Sequence, residues 1–260
     1  MARNWTRDEL ILVMNLYCRL PFGKFHQLNP DVIQMASLID RTPSAVAMKL
    51  SNLASLDSFH SDRGVKGLSG ASSKDREIWL EFHADWERLA VESELLLSTK
   101  LQEATANDEN SAATYQGETE TERTTKVRLA QGFFRKTILA SYEGQCCVTG
   151  LTIPSLLVAS HILPWSDYPE HRVNPCNGLC LNNLMDKAFD CGLVAFDEDC
   201  RLILSQKLPA DRLTRQFRAI SCLTLEQSLL VHRNFNLLMS FLPGIAQCSF
   251  SANRSRANFD

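Results

Sequence analysis

The sequence predicts an α+β protein in two parts: a helical, helix-turn-helix-like N-terminal domain and a C-terminal domain built on a strand–strand–helix unit. Three observations predict it. Residues 1–100 carry apolar side chains at helical spacing. Residues 101–125, LQEATANDENSAATYQGETETERTT, are acidic and nearly free of large apolar side chains. Such a segment cannot bury enough surface to fold alone and reads as a flexible linker. Residues 156–193 then pass from an apolar run, through an Asn-Gly pair, into a second apolar run and a short helix. The second domain is expected over 126–247, where apolar patterning resumes, and CSFSANRSRANFD at 248–260 reads as a loose tail.

Taken in order, Asn4 or Thr6 caps a first helix through LILVMNLYCRL, which Pro21 stops. A second helix starts after Asn29-Pro30, with Val32, Ile33, Ala36, Leu38 and Ile39 as its apolar stripe. Arg41-Thr42-Pro43-Ser44 breaks it, and Ala45–Leu53 forms a third helix with Val46, Leu50 and Leu53 inward. Ser44, Ala45, Lys49 and Asn52 are expected to face outward. A short turn between helices with small polar residues facing out is the plan by which a recognition helix enters a major groove, so Ser44, Lys49 and Asn52 are candidate DNA contacts. WTRDEL and ASLIDRTPSAVAMKL resemble the tri-helical Myb/SANT pattern over about fifty residues. Such packets bind DNA or proteins, and both readings stay open. Residues 72–97 form one or two further helices, with Trp79, Phe82, Trp86 and Leu89 as core and His83 as a core or surface histidine.

Bulk properties narrow the function. A net charge of −3 and a pI near 6.1 argue against coating nucleic acid through charge alone, though not against local basic patches. No apolar run approaches the length of a membrane span, and MARNWTRDEL has no signal-peptide core, so a cytoplasmic protein without membrane contact is expected. Nine cysteines, an odd number, read as reduced thiols, and without a paired C-x-x-C set structural zinc is disfavoured. Cys147 and Cys191 read as small buried residues.

The chemistry sits in the second domain. Leu156–Ala159 suits a buried strand; His161 lies just past it, and Pro164 ends regular pairing. Asn177-Gly178 is a strong turn signal, Leu179, Leu181 and Leu184 read as a second strand, and LMDKAFDCG is a short helix ended by Gly192. Asp186 and Asp190, four apart, share a helical face and can converge on one ion. A histidine titrating near neutrality suits general-base work, and a divalent cation suits charge growing on a phosphoryl group. An all-oxygen ligand set favours Mg²⁺ or Mn²⁺. His171 follows a turn-like DYPE stretch and reads as solvent-exposed. Flanking elements are a helix through QGFFRKTILASYEG with Arg135 and Lys136, a hairpin LVAFDEDCRLILS around an Asp-Glu-Asp turn, and a long helix LTLEQSLLVHRNFNLLMSFL.

Ala159 to Trp165 (ASHILPW), Arg172, Asn177 to Leu181 (NGLCL) and Asp186 to Leu193 (DKAFDCGL) together resemble the HNH nucleases, the ββα-metal family, in a bacterial restriction or defence-type branch. The resemblance extends more weakly from Phe133 through Leu204. It implies a metal-dependent DNA endonuclease with one divalent ion per site, leaving a 5′-phosphate. By position His161 is the general base, Asn177 orders the inter-strand loop and the histidine ring, and Asp186 and Asp190 bind the metal. Arg172 is placed to grip a phosphate. Two departures matter. Ser160 stands where many members carry an acidic or histidine ligand and is at most a weak or outer one. The third histidine is absent, and a register one residue earlier puts Met185 rather than Asp186 in its place. DNA is the implied partner, with a homodimer if both strands are cut. The competing reading is a catalytically inactive DNA-binding regulator that retains the fold.

Overall fold

Thr6 starts the first helix in the computed structural model, which describes residues 3–57, 70–106, 122–196 and 202–205. Helix α1 (Arg7–Arg19) opens with a reciprocal capping box. The Thr6 hydroxyl accepts from the Glu9 amide, and the Glu9 carboxylate accepts from the Thr6 amide. Residues Leu10–Leu16 are all buried, so α1 is a central helix, packed against α2 (Pro30–Leu38), α3 (Pro43–Ala54), α4 (Ser73–Ala84) and α5 (Trp86–Ala106). Asn29 and Thr42 cap α2 and α3, each with proline at the first helical position, where its missing N–H costs nothing.

Two details of α2 differ from the sequence reading. Its buried stripe is Val32, Met35, Ala36 and Ile39, while Ile33 is exposed and Leu38 half-buried. The stripe follows i, i+3, i+4, i+7, which brings Met35 inward and turns Ile33 out. Asp40 (φ 52°) then reverses the chain: the Arg41 amide donates to the Ala36 carbonyl and the Asp40 amide to the Ser37 carbonyl.

Among the described residues, strands occur in the second unit. The described chain divides into Met1–Thr137 and Ile138–Asp260, and α6 spans Glu122–Ser141. Both ends of the expected linker are therefore helical, through Ala106 and from Glu122, and 107–121 lie outside the described residues. Strand β1 (Leu157–His161) pairs antiparallel with β2 (Gly178–Asn182), from Leu157 opposite Asn182 to His161 opposite Gly178. Helix α7 (Asn183–Asp190) follows directly, with Asn182 as its N-cap, and packs on both strands through Met185, Ala188 and Phe189. It ends as the sequence indicates: Gly192 has φ 65°, its amide donates to Phe189, and the Leu193 amide donates to Ala188. Strands β3 (Val194–Phe196) and β4 (Leu202–Leu204) form the anticipated antiparallel hairpin. Its Asp-Glu-Asp tip, the long helix predicted over 223–242 and the tail at 248–260 lie outside the described residues.

The mixture of helices with small antiparallel sheets is the α+β class. The ββα order agrees with the sequence, but the Asn-Gly turn does not. Gly178 is extended (φ −132°) and opens β2, whereas a tight Asn-Gly hairpin needs positive φ. The reversal instead occupies residues 162–177, punctuated by Pro164, Pro169 and Pro175 and two short 3₁₀ turns. Leu184 likewise belongs to α7, where it is exposed, and not to a strand.

Candidate active site

His161 closes β1, and its neighbours on the loop determine how its ring is held. Its Nε2 lies 2.8 Å from the Arg172 carbonyl, which can only accept, so Nε2 carries the proton and the neutral ring has its lone pair on Nδ1. The Trp165 ring meets the imidazole edge-on, with centroids 5.4 Å apart and planes at 84°. Burial pushes the imidazole below its ordinary pKa, partly offset by the bond to the Arg172 carbonyl, so at neutral pH the ring is neutral and able to accept a proton.

Asn177 organises the loop with its amide group. Its Oδ1 accepts from the Leu163 amide at 2.7 Å, and its Nδ2 donates to the Leu163 carbonyl at 3.2 Å and the His171 carbonyl at 3.1 Å. The residue is 2% exposed, so these bonds replace water in fixing both sides of the loop. Arg172 lies over the Trp165 ring at 5.3 Å and donates from Nε to the Trp165 carbonyl at 2.8 Å. Thus one residue supplies both the carbonyl that orients His161 and the side chain that clasps the loop.

A cleft of about 280 Å³ lies at this end of the sheet, lined in part by Ser160, His161, Trp165, Asp186, Phe189 and Asp190. The structure therefore brings Ser160, His161, Asp186 and Asp190 to one cavity, and places Met185 in the core instead. Of the two residues the register alternatives put in the third position, Asp186 borders the cleft and Met185 is buried in the core. Asp186 makes no ion pair or hydrogen bond among the described residues. Ser160 is 4% exposed, borders the cleft and has no hydroxyl partner among them. His171, with its side chain 15% exposed and 3.7 Å from Glu170, is less solvent-exposed than its sequence context implied, and it does not border the cleft.

Among the described residues no three His, Cys, Asp or Glu side chains converge closely enough to hold an ion unaided. The cleft offers two carboxylates one helical turn apart and a neutral hydroxyl, a hard, sparse oxygen set. That chemistry suits a largely hydrated ion such as Mg²⁺, which characteristically takes one or two carboxylates and completes its shell with water and substrate phosphate. It does not suit tetrahedral zinc, which prefers nitrogen and sulfur.

Cys146 was not anticipated as part of the scaffold. Its buried sulfur accepts from the amides of Asn182 at 3.2 Å and Thr149 at 3.4 Å, and the Asn182 side chain donates to the Thr149 hydroxyl at 2.9 Å. These bonds fix the β2–α7 junction from which Asp186 projects. The CCVTG stretch with its polar Thr-Gly turn is the only sequence signal for it. Among the described residues, Cys18, Cys146, Cys147, Cys176, Cys180 and Cys191 form no disulfide; Cys147 is buried, as anticipated, but Cys191 is exposed because it caps α7 on the solvent side.

The candidate DNA contacts of the first unit fare differently. Ser44 is exposed, but Lys49 and Asn52 are buried. The Lys49 ammonium lies 2.9 and 3.0 Å from the two oxygens of Asp75, which is 0% exposed, and 5.0 Å from the centre of the Trp5 ring. Lys49 is the sole charged residue of α3, so this helix presents no cation to solvent. Helical spacing located these residues but could not show that α4 and the residues before it cover them. His83 is held between Trp79 and Trp86, its Nδ1 2.7 Å from the Trp79 carbonyl.

Residues 146–197 match the family model described as HNH endonuclease. No curated protein matches the chain significantly. No helix among the described residues is long and apolar enough to cross a membrane.

Proposed function

Taking residues 146–197 as an HNH endonuclease domain, we propose that the chain is a metal-dependent DNA endonuclease that hydrolyses phosphodiester bonds with His161 as general base. The observation that carries this reading is the shared cleft. A neutral imidazole with its basic nitrogen set by a backbone carbonyl borders the same cavity as two carboxylates from α7.

The mechanism follows from the residues. His161 Nδ1 takes a proton from the attacking water as its oxygen bonds to phosphorus. Asn177 keeps the loop closed, so that the ring neither flips nor changes tautomer. Asp186 and Asp190, with Ser160 as a weak neutral donor, would hold one Mg²⁺ or Mn²⁺. When bound, the ion supplies positive charge for the pentacovalent phosphorus and for the departing 3′ oxygen. The bond that breaks is the one to that oxygen, leaving a 5′-phosphate. A restriction or anti-phage defence role, in the cytoplasm, is part of the same proposal, and cutting both strands with one site per chain calls for a homodimer.

Because α3 presents no cation, DNA engagement is assigned to the second unit. The helix-turn-helix-like region is left with Ser44 as a polar contact and with protein binding as its alternative role. The test is digestion of supercoiled plasmid with Mg²⁺ or Mn²⁺ by wild type and His161→Ala. Wild type nicks or linearises the plasmid and the variant does not; equal cutting by both overturns the role of His161.

One observation favours a second reading, a catalytically inactive DNA-binding regulator that retains the nuclease fold. Ser160 supplies a neutral hydroxyl at a cleft position where a charged or imidazole ligand would hold an ion more tightly. DNA binding without cleavage across Mg²⁺, Mn²⁺, Co²⁺ and Ni²⁺ would select it.

A further inference from the structure

We propose that Arg172 is a positioning residue, a latch that fixes His161 through the inter-strand loop, and not a phosphate grip. The proposal rests on the nuclease reading of the cleft. Three contacts form a closed circuit. The Arg172 carbonyl accepts from His161 Nε2 at 2.8 Å. The Arg172 Nε donates to the Trp165 carbonyl at 2.8 Å, with the guanidinium over the indole ring at 5.3 Å. The Trp165 indole meets the imidazole edge-on at 5.4 Å.

A backbone carbonyl selects a histidine tautomer only while its own residue is held still. Here the loop has no β-ladder to hold it, since β1 ends at His161 and β2 begins at Gly178. Asn177 restrains one side of Arg172 through the His171 carbonyl at 3.1 Å. The Arg172 amide adds a 3.4 Å bond to the Pro169 carbonyl, and the side chain of Arg172 itself supplies a further restraint. A planar guanidinium can stack on an indole and direct Nε–H at that residue's own carbonyl at once; a lysine ammonium has neither the plane nor the fixed donor. Arg172 is half-buried and does not border the cleft that His161, Asp186 and Asp190 share.

Lysine at this position separates the two roles. If Arg172 grips a phosphate as a cation, Arg172→Lys retains most activity and Arg172→Ala raises KM and weakens the salt dependence of DNA binding. If Arg172 is a latch, both variants lower kcat about 10–100-fold, the range in which loss of an orienting partner typically falls, with KM within about twofold. A second readout needs no turnover. In the full-length protein labelled with ¹⁵N-histidine, His161, assigned by its loss in His161→Gln, shows the Nε2–H tautomer in wild type. The Nδ1–H form rises in Arg172→Lys at unchanged circular dichroism. Wild-type kcat in Arg172→Lys, a loss confined to KM, or an unchanged tautomer in that variant overturns the latch. A wild type that cuts no DNA refutes the nuclease reading, and the tautomer comparison then decides the latch alone.

Discussion

Lys49→Met distinguishes a structural lysine from a DNA-reading one. The substitution keeps the aliphatic stem and removes the ammonium, which leaves the Asp75 carboxylate charged, 0% exposed and without its counter-ion. Asp75 also accepts from the Ser72 amide at 2.8 Å as part of the α4 capping box, so it cannot swing out to water without uncapping that helix. Breaking one side of a buried ion pair costs about 3–5 kcal/mol, to which loss of the contact with the Trp5 ring belongs. For a unit of this size the loss corresponds to a fall in Tm of roughly 10–20 °C. Removing both charges in Lys49→Met with Asp75→Asn, where the amide oxygen still accepts from Ser72, should return the protein to within about 1–2 kcal/mol of wild type. The assay is thermal and urea unfolding of the full chain, with DNA binding measured against salt at a temperature where the variant is folded. A lysine that touches phosphate would lower the salt slope by about 1 on removal and barely alter stability. Lys49→Met within about 1 kcal/mol of wild type, with such a loss of slope, would refute the burial argument.

Three further outcomes are expected. Asn177→Ala leaves the Leu163 amide and the Leu163 and His171 carbonyls short of partners, at about 1–3 kcal/mol for each buried group, and should slow cutting and lower the unfolding midpoint of the second unit; a midpoint equal to wild type refutes the stapling role. Asp186→Asn with Asp190→Asn should raise the Mn²⁺ concentration needed for half-maximal binding roughly 10–100-fold, read by the electron paramagnetic resonance of free Mn²⁺, and unchanged binding excludes them as ligands. Burial holds His83 below the ordinary histidine pKa, partly offset by the Trp79 carbonyl and by Asp57, so the unfolded chain binds the proton more readily than the folded one. Its stabilising contribution is complete above the ordinary value near 6.5 and is lost as pH falls from there through the folded pKa; urea midpoints at pH 5 to 8 should therefore drop on the acid side, and His83→Phe should flatten that drop.

Local signals account for most of what the sequence made legible. Thr6, Asn29-Pro30 and Gly192 each specify a helix end through bonds within a few residues, and these ends lie where those residues put them; Thr42-Pro43, read as part of a break before Ala45, instead caps and opens α3 at Pro43. His161, Asp186 and Asp190 were legible because a strand end and a helical i, i+4 pair are also local patterns. What was missed depends on distant partners. The burial of Lys49 is decided by Asp75 and Trp5, which no periodicity in α3 reports. The Asn177-Gly178 pair makes no hairpin turn because Asn-Gly has that meaning only when two strands meet directly; here three prolines keep the intervening chain out of the ladder, and the Asn177 side chain bonds across the loop. Cys146 has no local signature for sulfur accepting two backbone amides.

The imidazole and the two carboxylates of the cleft, to which the proposed reaction gives different tasks, are supported by different pieces of chain, and this has a consequence for how the site can vary. His161, the proposed base, is held by the loop: the Arg172 carbonyl accepts from its Nε2, Trp165 meets its ring edge-on and Asn177 closes the segment. The carboxylates are held by α7, whose start is fixed by Asn182, Cys146 and Thr149 and whose inner face is Met185, Ala188 and Phe189. Hydrogen bonds and packing act over contact distance, so a change in one support reaches the other chiefly through the β1–β2 pairing that both share. Substitutions in 162–177 should therefore change turnover at constant Mn²⁺ affinity, and substitutions at Asn182 or Cys146 should change Mn²⁺ affinity at constant His161 tautomer. Additive losses in an Asn177→Ala, Asn182→Ala double variant are the expected result, and an interaction energy above about 0.5 kcal/mol would show that loop and helix form one mechanical unit.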